Sequence, residues 1–283
     1  MIEPKRVQTT EAVAMHYNEL DSFYREIWGE HVHHGYWATG RETAAEAADA
    51  LVDLVADRLS LAPGQRVCDI GCGYGATAER LAERHRVDVA GVTVSAAQAA
   101  RAAARVPSRG SIAILQQDWL ANGFPADCFD RAYAIESSEH MPDKQRFFAE
   151  AFRTLRAGGR LVVCVWLSRT DPRPWEIRHL LEPICREGRL PGMGDEAEYR
   201  RMGEHAGFTL HAVDDLGDRV RRTWAICGRR VLARLATDPR YARFLMDRTA
   251  SNRIFVVTLM RLLIAYRTRS MRYCLMVFEK VAS

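Results

Sequence analysis

The sequence predicts an α/β protein on a doubly wound, mostly parallel sheet of seven strands, with an antiparallel edge, N-terminal helices and a helical cap. Three observations lead there. Apolar strand-like runs alternate with amphipathic helical stretches through the middle of the chain. The first run, Arg66-Val67-Cys68-Asp69-Ile70, passes directly into the glycine-rich turn Gly71-Cys72-Gly73-Tyr74-Gly75 and then a helix, a Rossmann-like opening. Two short strand patterns near the carboxyl end have helices between them, which suits a sheet finished by an antiparallel edge.

Residues 9–29 carry Val13, Tyr17, Leu20, Phe23, Tyr24, Ile27 and Trp28 at helical spacing. The cluster His31-Val32-His33-His34-Gly35-Tyr36-Trp37 follows. It reads either as a loop closing over a ligand through His33, His34, Tyr36 and Trp37, or as a surface loop held to the core by its two aromatic rings. A metal reading lacks an acidic or cysteine partner at ligand spacing. Ala44 to Leu59 is an amphipathic helix stopped by Ala62-Pro63-Gly64. Strands are expected at 66–70, 87–94, 112–117, 130–135 and 160–166, with helices near 75–84, 95–105 and 143–156. Gly158-Gly159 is the expected helix C-cap before the fifth strand. Pro172, Pro174, Pro183 and Pro191 mark an irregular insertion. Phe208 to Asp214 reads as a sixth strand, 217–266 as helical and Met271 to Glu279 as a final strand. The expected segments are a cofactor-covering helical region over 1–60, a core over 61–168, a cap over 169–266 with a strand interposed, and an edge strand over 267–283.

Composition narrows the partners. A net charge of +4 without basic clustering gives no reason to expect nucleic acid. The seven cysteines are irregularly spaced, with no paired metal-site pattern, so the chain reads as reduced, metal-free and cytoplasmic. No apolar run reaches the ~18 residues of a membrane span. A monomer or homodimer acting on a small molecule is expected.

The glycine turn admits two cofactor classes. A dinucleotide needs its pyrophosphate at the turn and an acidic residue at the second strand's end. Here the carboxylate, Asp69, stands before the glycines, where it would repel a pyrophosphate, and the second strand ends Gly91-Val92-Thr93-Val94-Ser95 without one. S-adenosylmethionine carries an ammonium and a sulfonium and no phosphate, so the same carboxylate becomes attractive. Gln117-Asp118-Trp119 would add an acceptor for the adenine amino group and a face for its ring.

On these residues the chain resembles the class I S-adenosylmethionine-dependent methyltransferases. Val67 to Gly75 matches their first motif. Gly91-Val92-Thr93-Val94-Ser95-Ala96-Ala97-Gln98 is similar to a second-motif variant of a subgroup that includes cyclopropane-fatty-acid synthases and tocopherol-type methyltransferases. Ile27 to Gly35 and Glu136-Ser137-Ser138-Glu139-His140-Met141-Pro142-Asp143-Lys144 resemble γ-tocopherol methyltransferases. The second stretch is also similar to a rebeccamycin-type sugar O-methyltransferase motif, but carries Glu139 where that motif has the first of two histidines.

The resemblance implies S-adenosylmethionine as cofactor and S-adenosylhomocysteine as product. It implies cofactor contacts at Tyr17, Asp69, Gly71, Cys72, Gly73, Gly75, Thr93, Val94, Gln98, Gln117, Asp118, Trp119 and Glu136, with Thr93 and Gln98 replacing the usual ribose carboxylate. An acceptor that loses a proton needs a base, and His140 is the candidate, since free imidazole titrates near ~6.5. Glu139 would orient His140 or act itself, while Glu136 faces the methionine end. Trp166, Trp224 and Phe244 join the histidine-aromatic loop as acceptor contacts, with Trp175, Ile226 and Met246 also considered. The expected reaction is methyl transfer to a small, largely apolar natural product, carbon being favoured over oxygen or nitrogen. The alternatives are a cyclase or binding protein with structural cofactor, or an NAD-dependent oxidoreductase. Arg219, Arg221, Arg222, Arg229 and Arg230 form either a solvated face or a site for an anionic acceptor.

Overall fold

The computed structural model describes residues 1–247 and 255–281. Its centre is a seven-stranded sheet in the order β3-β2-β1-β4-β5-β7-β6. The strands are β1 (Arg66–Ile70), β2 (Asp88–Thr93), β3 (Ser111–Gln116), β4 (Phe129–Ile135), β5 (Leu155–Ser168), β6 (Thr209–Asp215) and β7 (Met271–Glu279). β1 to β5 run parallel, and β7 lies antiparallel between β5 and β6. The order reverses beside β1, so β1, β2 and β4 present their carboxyl ends to one crevice, the usual ligand site of an open α/β sheet.

The N-terminal segment forms two helices rather than one, α1 (Thr10–Glu19) and α2 (Asp21–Ile27), parted at Leu20. Thr9 caps α1 through its side chain. α3 (Ala44–Leu59) begins with a Thr43–Glu46 capping box and buries Leu51, Val52, Val55 and Leu59. α4 (Ala76–His85), α5 (Ala96–Ala102) and α6 (Lys144–Thr154) connect the parallel strands. α6 stops at Leu155, which is extended, so the chain enters β5 without a glycine cap. The register between β4 and β5 then shifts between Phe129 and Arg131, and Gly158 adopts φ +73 within β5. The two glycines thus belong to an irregularity of the strand and not to a helix terminus.

The insertion after β5 forms α7 (Pro174–Glu176), a π-wound turn (Ile177–Leu181), α8 (Glu182–Glu187) and α9 (Glu196–His205). The cap continues as α10 (Gly217–Val220), α11 (Arg222–Thr237), α12 (Pro239–Met246) and α13 (Phe255–Arg267). Residues 248–254 of the helical stretch expected over 217–266 lie outside the described residues. No described helix is long and apolar enough to cross a membrane.

On the face of the sheet away from α3, Phe147 and Phe148 of α6, Tyr199 of α9 and Phe278 of β7 are fully buried together. Burying each such ring contributes ~1.5–3 kcal/mol. Gly203 of α9 lies against the Phe278 ring, which an added Cβ would overlap. Alanine gains about 1 kcal/mol of helix propensity over glycine, but overpacking costs about 1–3 kcal/mol. Gly203→Ala should therefore lower the urea midpoint, with a net loss near 1 kcal/mol; an unchanged or higher midpoint would show that the ring can move aside.

Candidate active site

Two cavities meet above the carboxyl ends of β1, β2 and β4. The first, about 730 Å³ of space partly open to solvent, is walled by Gly71, Gly73, Thr93, Val94, Gln98, Gln117, Asp118 and Trp119. Gly71 (φ +89) is required because an added Cβ would overlap the Ser137 side chain. The Ser137 hydroxyl donates to the Ile70 carbonyl, drawing the start of the β4–α6 connection against the turn. At Gly73 (φ +51) nothing lies within 4 Å of an added Cβ, which leaves the backbone open to a ligand. Thr93 Oγ1 donates to Gln98 Oε1 at 2.8 Å, forming one polar unit at the end of β2. Asp118 accepts from Thr10 Oγ1 at 3.1 Å and from the Leu120 amide at 2.9 Å, so part of its acceptor capacity is already used.

Several expected cofactor contacts fall elsewhere. Cys72 lies in a smaller neighbouring cavity, its side chain against Gly91 of β2, and Gly75 is the α4 N-cap, closely approached by Ala102. Neither lines the larger cavity. Asp69 also sits behind the turn, 2% exposed, with no hydrogen-bond partner at Oδ2. Burial pushes its carboxyl up to about 7, against the pull of the Tyr133 hydroxyl. A buried acidic group with one oxygen unpaired behind an open glycine turn fits a cationic ligand and opposes a pyrophosphate.

The second cavity, about 900 Å³, is mainly aromatic and aliphatic. Leu20, Phe23, Tyr24, Ile27 and Trp28 form one wall, Trp166 and Trp224 another, and Ile184, Leu259 and Leu262 a third. Tyr17, Val32, Glu136 and His140 line both cavities and so stand where they meet.

At this junction the Tyr17 hydroxyl is 3.0 Å from His140 Nε2, and His140 Nδ1 is 3.3 Å from the Arg189 carbonyl oxygen. A carbonyl only accepts, so Nδ1 carries the ring proton and Nε2 accepts from Tyr17. Burial lowers the His140 pKa to about 4, below the near-neutral value expected, which keeps the ring neutral at physiological pH. The Arg189 carbonyl, not Glu139, orients the imidazole.

Glu139 is buried beneath the site and lines neither cavity. Its Oε1 accepts from the Trp166 amide at 3.2 Å, and burial pushes its carboxyl up to about 8. It has no open path to an acceptor as a base. Glu136 reaches the junction but is fully engaged: Oε1 accepts from the His34 amide (2.7 Å) and the Tyr273 hydroxyl (2.8 Å), and Oε2 from Trp166 Nε1 (3.0 Å). His34 Nδ1 lies 2.9 Å from Oε1, off line for a hydrogen bond. Burial alone would raise this carboxyl; the His34 ring and the donors outweigh it and bring it down to about 2. Glu136, expected at the methionine end of the cofactor, is thus held as a carboxylate that anchors its neighbours.

The histidine-aromatic loop acts differently from the expectation. Only Val32 of residues 31–37 lines the two cavities. His33 faces the smaller cavity behind the glycine turn, hydrogen-bonded to the His34 carbonyl and His31. His34 is enclosed by Trp166, Trp224, Tyr266 and Tyr273, Tyr36 packs on the core, and Trp37 Nε1 donates to the Glu42 carbonyl. Phe244 touches Phe23 from behind the wall. Trp175 and Met246 are exposed. No metal-ligand cluster occurs among the described residues. Arg219, Arg222 and Arg230 donate to the carbonyls of Ala38, Gly40 and Ile27, so they hold the N-terminal segment to the cap and do not line the acceptor cavity. The α1–α2 aromatics were visible in the sequence as a helical stripe, but a stripe does not say which side faces a cavity.

Fold, open glycine turn and paired cavities define a class I S-adenosylmethionine-dependent methyltransferase. Residues 4–238 match the family described as mycolic acid cyclopropane synthetase (CMAS), and the chain belongs to it. It is 32% identical over 224 residues to the 27-O-demethylrifamycin SV methyltransferase of Amycolatopsis mediterranei, covering 76% of this chain and 80% of that one. Identity to the probable chloroplastic tocopherol O-methyltransferase of Oryza sativa subsp. japonica is 30% over 234 residues, 76% of this chain and 64% of the relative. Among solved structures, the 4+2 cyclase SpnF superposes with TM-score 0.79 at 25% identity, covering 99% and 100% of the two chains. The mycolic acid cyclopropane synthase CmaA1, complexed with S-adenosylhomocysteine and CTAB, superposes with TM-score 0.83 at 23% identity, covering 98% and 100%. The cofactor is S-adenosylmethionine, and the dinucleotide reading falls.

The raised Asp69 pKa has a defined sign. In the free protein its protonated form is favoured, so the stability it contributes is complete below 3.8 and is lost as pH rises towards about 7. A bound cation favours the ionised form. Affinity for S-adenosylhomocysteine, measured by calorimetry, should therefore rise roughly three- to tenfold from pH 6 to 8. Asp69→Asn should flatten that dependence; an equal rise in the variant would remove Asp69 from cofactor binding.

Proposed function

We propose that this enzyme methylates a hydroxyl group on a small, neutral, largely apolar natural product. The observation that carries the reading is the Tyr17–His140 couple on the wall common to the glycine-turn cavity and the aromatic cavity. S-adenosylmethionine would be held by Gly71, Gly73, the Thr93–Gln98 unit and Gln117–Trp119, and supplies a methyl group activated by its sulfonium.

The protein's own part is to desolvate the acceptor, aim it and take its proton. As the new O–CH₃ bond forms, the acceptor's hydroxyl proton becomes strongly acidic. It passes to the Tyr17 oxygen while the Tyr17 proton moves to His140 Nε2. A weak, neutral imidazole suffices because the proton is acidic only at that stage.

The acceptor's character follows from the walls. No arginine or lysine is among the described residues that line the aromatic cavity, and its ionisable groups include Glu136 and Glu187. A diphosphate there would lack countercharge. The sequence leads one to expect carbon as the acceptor atom; we choose oxygen because a proton-accepting couple at the junction serves a hydroxyl nucleophile directly, and the names of the two relatives described above, which carry "O", support that choice. The seven cysteines are free and buried, which suits a reducing cytoplasm, where we place the enzyme as a monomer or homodimer.

Incubation with methyl-labelled cofactor and neutral hydroxylated acceptors should put the label on oxygen. Label on carbon would overturn the choice of atom, and cyclised, unlabelled product would overturn methyl transfer itself. His140→Ala should lower turnover by about 10²–10⁴-fold while S-adenosylhomocysteine affinity stays within about twofold; undiminished turnover would remove His140 from the reaction.

A further inference from the structure

Lys144 is a buried ammonium that neither cavity touches. It is the first residue of α6, after the N-cap Asp143, and its side chain is 3% exposed overall with the residue. Its Nζ donates to the Glu139 carbonyl at 3.3 Å and to the Met141 carbonyl at 3.1 Å. Those are the carbonyls immediately before and after His140. The short 3₁₀ turn Ser138–His140 has little of its own to fix it: its internal closures are single backbone bonds from the His140 and Met141 amides to the Ser137 and Ser138 carbonyls.

From this geometry we infer that Lys144 is a positioning residue for His140: its ammonium holds the carbonyls of the residues on either side of that histidine and so fixes where the imidazole points. Burying a lysine costs several kcal/mol unless its donors are satisfied, and an apolar side chain would fill the same space without that cost. One donor is used on the peptide group that enters His140, through the Glu139 carbonyl, and another on the carbonyl of the residue that follows it, Met141. Burial lowers the Lys144 pKa to about 8, so the ammonium is present at neutral pH.

The other groups facing His140 are accounted for by element. Tyr17 of α1 donates to Nε2, and the Arg189 carbonyl after α8 accepts from Nδ1. Glu136 and Glu139, from the connection that carries His140, are respectively a fully engaged carboxylate and a carboxyl held protonated by burial. Glu187 of α8 lines the same cavity but is engaged by Arg261 and Thr258. Lys144 is the cation that acts on the ring; it and the Glu136 carboxylate pull in opposite directions.

The inference rests on His140 as the proton acceptor, but its test needs neither an acceptor nor turnover, so a failed methylation assay and a failed titration are separate results. Protein labelled with ¹⁵N at its nine histidines is saturated with S-adenosylhomocysteine and titrated by NMR, with His140 assigned from the spectrum of His140→Gln. In the wild type, His140 should show one tautomer, with the proton on Nδ1, and titrate well below neutral pH. Lys144→Met should mix the two tautomers and raise the titration midpoint by roughly 0.5 pH unit or more, since a like charge has gone. Lys144→Gln, which keeps an N–H donor group but no charge, should raise the midpoint and retain more of the single tautomer; it decides the matter alone if the methionine variant does not fold. An unmoved midpoint and tautomer would overturn the inference. So would loss of S-adenosylhomocysteine binding in both variants, because Lys144 would then support the fold and not the imidazole.

Discussion

The Glu136 carboxylate is the interaction on which the site depends. It sits just past β4 in a left-handed backbone conformation (φ +53), which a side-chain-bearing residue adopts only when its surroundings enforce it. The enforcement comes from distant parts of the chain: the His34 amide from the N-terminal segment, Trp166 from β5 and Tyr273 from β7. A buried carboxylate with these donors is tolerable; without them it would cost several kcal/mol. The anion therefore ties the loop that brings Val32 to the junction onto the sheet that carries the glycine turn.

The same economy of charge governs the rest of the centre. Asp69 is buried behind an open turn with Oδ2 unpaired, Glu139 is buried and held neutral, and His140 is buried and kept unprotonated. The glycine turn thus has an acidic group behind it that a cation would satisfy, while the aromatic cavity offers no arginine or lysine among the described residues. Arg219, Arg222 and Arg230 of the cap are turned to the carbonyls of Ala38, Gly40 and Ile27, which holds the N-terminal segment to the cap beside the aromatic cavity.

What was legible in the sequence was what is local. Strand periodicity, the glycine turn and the Thr93–Gln98 spacing are set by neighbours within a few residues; the sheet order is not, and the final strand, expected at an edge, lies between β5 and β6. The resemblance motifs also placed His140 and Tyr17 at the site. What was not legible depends on side-chain direction. His33, His34, Tyr36 and Trp37 were expected to face the acceptor, yet His33, His34 and Trp37 find partners at His31, Glu136, Tyr266 and Glu42, Tyr36 packs on the core, and the loop offers the cavities Val32 instead. Cys72 and Gly75 belong to the right motif but serve strand packing and helix capping. Glu136 was expected at the cofactor's methionine end; its part as an anchor emerges only from donors up to 137 residues away.

The central claim is that cofactor and acceptor meet at the wall shared by Tyr17, Val32, Glu136 and His140. A crystal structure of the protein with S-adenosylhomocysteine tests it most directly. The account predicts the ligand's adenosine along Thr93, Gln98 and Gln117, and its sulfur at the junction, facing the aromatic cavity beside the Tyr17–His140 couple. A sulfur directed away from that couple, or a ligand seated in the aromatic cavity, would contradict it.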